Sequence, residues 1–258
     1  MSAHTLKVEI MDQLAIVTLD RPEVRNAISF EMVKELDLLL DKLDSSQEVK
    51  VIIFTGSGDQ AFVSGGDLDQ FLSVRGKEKA LPMLTKVGSL LSKIEKLSKP
   101  TIAMINGAAI GGGCEFATAC DFRFASEQAR MGFVQISMHI TTGWGSGSRL
   151  VKKIGRSQAL SLLLTGEVIE AKRALELGFV DHVFEHTRLR EKTLEFARKI
   201  AKQPLPGIQA YMNMVHDLDA GMKLEESIKL EIDRCAEMWG SDLHLGVVQA
   251  FLNKTREK

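Results

Sequence analysis

Cysteine is scarce in this chain. Its 258 residues contain three, Cys114, Cys120 and Cys235, an odd number without Cys-x-x-Cys spacing. That usage excludes a disulfide framework and a thiolate zinc site, predicts no metal, and fits free thiols in a reducing compartment, the cytoplasm. An excess of charge is missing too: 33 Lys and Arg stand against 34 Asp and Glu, a net charge of −1. Without a global basic field, neither nucleic acid nor a membrane is an expected partner. No apolar run approaches a membrane span, and residues 1–12 are polar and mixed in charge, with no signal-peptide core. The nucleotide-phosphate signatures G-x-x-x-x-G-K-[ST] and G-x-G-x-x-G are absent, as is the G-x-S-x-G elbow of a serine nucleophile. What is present is a normal 45% of hydrophobic residues, over a length that suits one large domain or a domain with an appendage.

The rest of the chain is organised around Ile105-Asn106-Gly107-Ala108-Ala109-Ile110-Gly111-Gly112-Gly113-Cys114-Glu115. Residues 101–105 are an apolar run after the Lys99-Pro100 break and read as a buried strand. Three glycines follow, then a helical pattern through Glu115, Phe116, Ala117 and Ala119. Glycines remove the Cβ atoms that would hold a ligand off the backbone, and the first N–H groups of a helix lack intrahelical acceptors. Negative charge suits such donors. Glu115 at the mouth opposes a fixed phosphate, so an oxygen that becomes negative only during a reaction fits better. Close helix–strand packing is the competing explanation of the glycines.

Taken in order, residues 6–10 alternate and residues 14–19 are apolar up to Asp20-Arg21-Pro22, which predicts a hairpin and a turn. Ser29 caps a helix that carries Met32, Val33, Leu36, Leu39, Leu40 and Leu43 on one face. Residues 49–54 read as a buried strand, followed by a loop to Asp67 and a helix from Leu68. Leu81, Leu84, Val87, Leu91, Ile94 and Leu97 mark a long helix before Pro100. Strand, glycine loop and helix therefore occur twice, around Ser64-Gly65-Gly66 and around Gly111-Gly112-Gly113. Parallel neighbouring strands would bring both loops to one sheet edge, where α/β folds bind ligands. A short strand over 121–126 precedes a segment rich in small and polar residues. Helical patterns follow at 157–164 and 171–177, and almost continuously from Thr187 apart from Pro204-Leu205-Pro206. The expected division is a strand-bearing part, 1–186, and a helical part, 187–258.

Phe62-Val63-Ser64-Gly65-Gly66-Asp67, Asn106-Gly107 through Glu115, Cys120-Asp121, Leu164-Thr165-Gly166-Glu167 and Gly178-Phe179-Val180 resemble, in order and spacing, the crotonase superfamily, the enoyl-CoA hydratase/isomerase family. Asp20-Arg21-Pro22 with Asn26-Ala27, and Ala250-Phe251 with Lys254, extend the resemblance over essentially the whole chain. It implies an α/β fold, a crotonase-like spiral of ββα repeats with a helical C-terminal region that assembles homo-oligomers, trimers or dimers of trimers. It also implies an acyl-CoA thioester as substrate, with coenzyme A part of that substrate and no further cofactor. Carried over by position, the backbone N–H groups of Ser64 and Gly112 would hold the thioester oxygen. Ser64, Gly65, Gly66, Asp67 and Gly112 would line the CoA site, and Phe251 and Lys254 would help hold the CoA nucleotide across a subunit boundary. Asp67 by itself reads more simply as a residue that orders its loop.

Hydratases of the resembled family flank one water with two glutamates. Glu115 matches the first, but the second falls on Gln135, which can hold water and cannot exchange a proton. His139 stands where many members carry glycine, and Gly143-Trp144-Gly145 puts a tryptophan in the acyl-pocket segment, where it narrows the pocket. Phe133-Val134, Gly143-Trp144-Gly145 and Arg149-Leu150 resemble the ethylmalonyl-CoA decarboxylase branch about as well. The expectation is an enoyl-CoA hydratase-like lyase in which Glu115 activates water. Decarboxylation of methylmalonyl- or ethylmalonyl-CoA, enoyl-CoA isomerisation by a single carboxylate, and a catalytically silent acyl-CoA-binding oligomer are the alternatives.

Overall fold

The continuous apolar runs become strands of a sheet covered on both faces. The computed structural model describes residues 5–256, with side chains to residue 253. Its strands are β1 (Leu6–Met11), β2 (Leu14–Leu19), β3 (Val51–Gly56), β4 (Ala61–Val63), β5 (Thr101–Ile105), β6 (Ala108–Ile110), β7 (Phe122–Ser126), β8 (Arg130–Gly132), β9 (Val168–Glu170) and β10 (His182–Phe184). Six form one sheet in the order β1-β2-β3-β5-β7-β10, and the other four a second sheet in the order β4-β6-β8-β9. Side chains alternate along a strand, so β2 sends Ala15, Val17 and Leu19 to one face and Leu14 and Ile16 to the other. β3 divides Ile52 and Phe54 from Val51 and Ile53 in the same way. Both faces are apolar because the strands paired in parallel, β2-β3-β5-β7-β10, lie between two layers.

The chain alternates between the sheets. α1 (Phe30–Ser45) lies between β2 and β3; β3 in the first sheet is followed by β4 in the second, then by α2 (Leu68–Phe71) and α3 (Lys77–Glu95), and β5 is followed by β6 and then α4 (Gly112–Ala119). α1 itself starts at Ser29, whose hydroxyl oxygen accepts the Met32 N–H at 3.1 Å, and it buries Met32, Val33, Leu36, Leu40 and Leu43. Every residue of α4 is buried, which fits its apolar composition and leaves Glu115 as its one acidic or basic side chain. This is a spiral of ββα repeats, and β4 and β6 are the short second strands of two of them.

The strands end with β10 at Phe184, and the compact unit that holds them continues into the helices that follow. Beyond α5 (Ser146–Ile154), α6 (Arg156–Thr165) and α7 (Ala171–Glu176), helix α8 (Leu189–Ala201) buries Leu189, Leu194, Ala197 and Ala201 with the second apolar face of the first sheet. One compact unit therefore runs to Leu205, and a second begins at Pro206. The second unit is helical: α9 (Leu205–Asp219), α10 (Leu224–Met238) and α11 (Asp242–Arg256). Pro206 sits in the first turn of α9, where its missing N–H removes no helical bond. Arg234 on α10 pairs with Asp217 on α9 at 2.6 Å. Tyr211, Leu224, Ile232, Trp239, Leu243, Val247 and Phe251 of this unit are exposed. Among the described residues no helix is long and apolar enough to cross a membrane.

Candidate active site

Two loops meet because their strands are neighbours. β4 pairs in parallel with β6, Ala61 opposite Ala108 and Val63 opposite Ala109, so the loops that follow them leave the same end of the second sheet. The approach is close. A Cβ on Gly65, whose φ is +120°, would lie 3.4 Å from the Ile110 carbonyl oxygen and 3.7 Å from the Gly112 nitrogen. A Cβ on Gly113 would strike the Val63 carbonyl, so glycine is needed here for packing as well as for an open backbone.

The direction of each N–H decides which donors are bare. Gly66 forms an isolated parallel bridge with Ile28, in which the Ile28 N–H donates to the Gly65 carbonyl at 2.8 Å and the Asp67 N–H to the Ile28 carbonyl at 2.9 Å. The residues flanking Gly66 make those bonds, so its own N–H points away from Ile28 and faces no acceptor among the described residues. Ser64 was expected to supply a donor, and the geometry corrects that: its N–H donates to the Arg25 carbonyl at 3.1 Å and its hydroxyl to the Val24 carbonyl at 3.2 Å. The bare N–H lies two residues on. Gly112 opens α4, where the first N–H groups have no intrahelical acceptor, while the N–H of Gly111 before it is taken by the Gly132 carbonyl at 2.8 Å. Asp67 orders the first loop by accepting the Gln70 N–H at 3.3 Å and pairing with Arg21 at 2.8 Å.

Glu115 lies one turn into α4 and is 2% exposed. Its Oε1 accepts from the Gln135 side-chain amide at 3.0 Å and from the Gly143 N–H at 3.2 Å. Its Oε2 accepts from the N–H groups of Trp144 at 2.8 Å and Ser146 at 3.4 Å. Four N–H donors thus hold the carboxylate in place. Ser146 is the first residue of α5, so the start of that helix faces the carboxylate. Gln135 turns inward from the 3₁₀ turn Val134–Met138; its carbonyl Oε1 and the buried Ser146 hydroxyl have no protein partner. Unsatisfied polar atoms beside a buried carboxylate are places for water or a substrate oxygen.

Trp144 and His139 were both expected at the acyl pocket, and they part company. The Trp144 side chain is buried at 6% exposure, and its six-membered ring (Cζ3, Cη2) occupies the place a Cβ on Gly112 would take. His139 is exposed; it ends the 3₁₀ turn in the left-handed conformation, φ 56°, and is not among the groups that touch Glu115. Arg149 is a residue whose part the sequence did not reveal. Its guanidinium donates to the Trp144 carbonyl, to Glu95 and to the Ser92 hydroxyl, each at 2.9 Å, and so fastens the 143–145 backbone to α3. The buried thiols are poor nucleophiles, since burial pushes Cys114 up and Cys120 up to about 12. Phe251 is exposed in the second unit, and the side chain of Lys254 lies outside the described residues. Among the described residues no three His, Cys, Asp or Glu side chains gather as metal ligands would.

Known proteins are similar to this chain over nearly all of its length. The family model described as enoyl-CoA hydratase/isomerase matches residues 9–258. A short-chain-enoyl-CoA hydratase of Clostridium acetobutylicum is 30% identical over 99% of this chain and 97% of its own length. A probable enoyl-CoA hydratase of Rhizobium meliloti is 35% identical over 99% of this chain and 98% of its own. Among solved structures, an enoyl-CoA hydratase from Bacillus anthracis superimposes with a TM-score of 0.92 at 29% identity, covering 97% of both chains. With the two converging loops, the buried glutamate and matches that run from end to end, the chain belongs to the enoyl-CoA hydratase/isomerase family.

Proposed function

We propose that the protein adds water across the α,β-double bond of an enoyl-CoA thioester, giving a 3-hydroxyacyl-CoA. The observation that carries this reading is the Glu115 carboxylate, pinned by four N–H donors one helical turn from Gly112. In the proposed reaction the thioester oxygen rests on the N–H groups of Gly66 and Gly112. Water attacks the β-carbon, its proton passes to Glu115, and the electron pair of the double bond moves onto that oxygen. Each backbone donor stabilises the oxyanion by about 3 kcal/mol. The α-carbon then takes a proton as the enolate collapses. Gln135 cannot exchange protons, so Glu115 returns the one it took or solvent supplies it. The hydratase names of the relatives favour hydration over decarboxylation.

The same proposal makes the second unit an assembly surface that joins copies into a trimer or a pair of trimers, supported by its exposed Tyr211, Leu224, Ile232, Trp239, Leu243, Val247 and Phe251. A CoA contact from Phe251 and Lys254 across that boundary, and a cytoplasmic location, belong to this reading. Turnover of crotonyl-CoA beside methylmalonyl- and ethylmalonyl-CoA tests the reaction. Loss of the enoyl absorbance is expected; binding without conversion, or conversion of the malonyl esters alone, contradicts it. Light scattering tests the assembly, and a monomer at micromolar concentration contradicts it.

A further inference from the structure

We infer that Trp144 is a partition that sets acyl-chain length: its indole closes the thioester site off from a cleft along α3 that would otherwise receive a longer chain. The inference rests on the reaction proposed above. The cleft has a volume of about 760 Å³ and is walled by α3 residues such as Leu84 and Gly88 and by the Gly143-Trp144-Gly145 loop. That size falls among small-molecule sites, roughly 300–1,000 Å³. Trp144 spans from this cleft to the proposed oxyanion donor. Its backbone lies against α3, where a Cβ on Gly88 would be 3.8 Å from the Trp144 Cα, while the far edge of its indole fills the space over Gly112. A thioester oxygen on the Gly112 N–H places the first acyl carbons against that indole. On the cleft side, a Cβ on Gly143 would lie 2.8 Å from Leu84 Cδ2, and Leu81 and Leu84 give this end of the wall an aliphatic part beside Thr85 and Ser89. At the far end Lys93 is held at 2.8 Å by both Asp37 and Asp41. An alkyl chain is what the apolar end suits, and the indole is what stands in its way.

The test is a chain-length ratio. In kcat/KM, wild type should prefer four-carbon crotonyl-CoA to a twelve-carbon enoyl-CoA by about 10-fold or more, and Trp144→Leu and Trp144→Ala should shift that ratio toward the long chain by about 10-fold or more. Adding Leu84→Trp to Trp144→Leu should cancel the gain by filling the cleft. Calorimetric affinities for butyryl- and dodecanoyl-CoA read the same ratio without turnover. Wild type that treats both lengths alike overturns the partition, as do folded variants whose ratio stays within about twofold of wild type. A shifted affinity ratio in a protein that hydrates no enoyl-CoA upholds the partition and removes the hydratase reading. Crotonyl-CoA hydration with an unshifted ratio does the reverse.

Discussion

The loop after β4 is tied down by its own backbone: Ser64 to Arg25, Gly65 and Asp67 to Ile28, with Arg21 clamped on Asp67. The loop after β6 has fewer such ties. Gly111 donates to Gly132, α4 then begins at once, and the glutamate one turn on is held from the opposite side by the 143–146 backbone. Both loops are rich in glycine, yet the first is a strand edge with one N–H left over and the second is a helix start. Changes around the second loop should therefore act on the chemistry, and changes at Ser64 should do little.

The largest effect is expected at Glu115. Glu115→Gln should lower kcat for hydration by about 10² or more while calorimetric acyl-CoA affinity changes little. An unchanged rate in a folded variant would remove the asymmetry between the loops. Gln135→Glu follows. A second carboxylate would face Glu115 across the present 3.0 Å contact, so the pair would share a proton, with its upper apparent pKa raised. That proton serves the α-carbon, and crotonyl-CoA hydration should rise by about 10-fold or more at pH below the raised pKa. The sign is fixed by the direction of the shift: the gain in rate, and the variant's stability, should both fall as pH rises through it. A pH–rate profile and melts at several pH values read this. Arg149→Leu should lower kcat by about 10-fold and stability by about 2 kcal/mol, because the Trp144 carbonyl loses its donor and the backbone holding Glu115 loosens. Steady-state kinetics and urea melts separate those effects. Ser64→Ala should change hydration by about twofold at most, since the Ser64 N–H already has an acceptor in Arg25.

The parts of the fold legible in the sequence were those with a side-chain signature. β2, β3 and β5 read as strands because both of their faces are buried, and α1 read as a helix because its apolar positions keep one face. β4, β6, β8 and β9 have three residues each, too few for a period to register. That α8 packs on the sheet was not legible, because α8 looks like the helices after it until its face is seen there. Glu115 and Gln135 stood out in the sequence, and their side chains lie 3.0 Å apart. The donors that hold Glu115 were not legible, because a backbone N–H from Gly143, Trp144 or Ser146 leaves no mark in side-chain identity. The choice between Ser64 and Gly66 was hidden for the same reason: it turns on the Ile28–Gly66 bridge, a pairing of residues far apart in sequence.

A crystal structure with a saturated acyl-CoA bound would test the oxyanion geometry most directly. The thioester oxygen should lie about 2.7–3.1 Å from the backbone nitrogens of both Gly66 and Gly112, with the Ser64 N–H still on Arg25. An oxygen bound to Ser64, with the Arg25 carbonyl displaced, or one out of reach of Gly112, would contradict it.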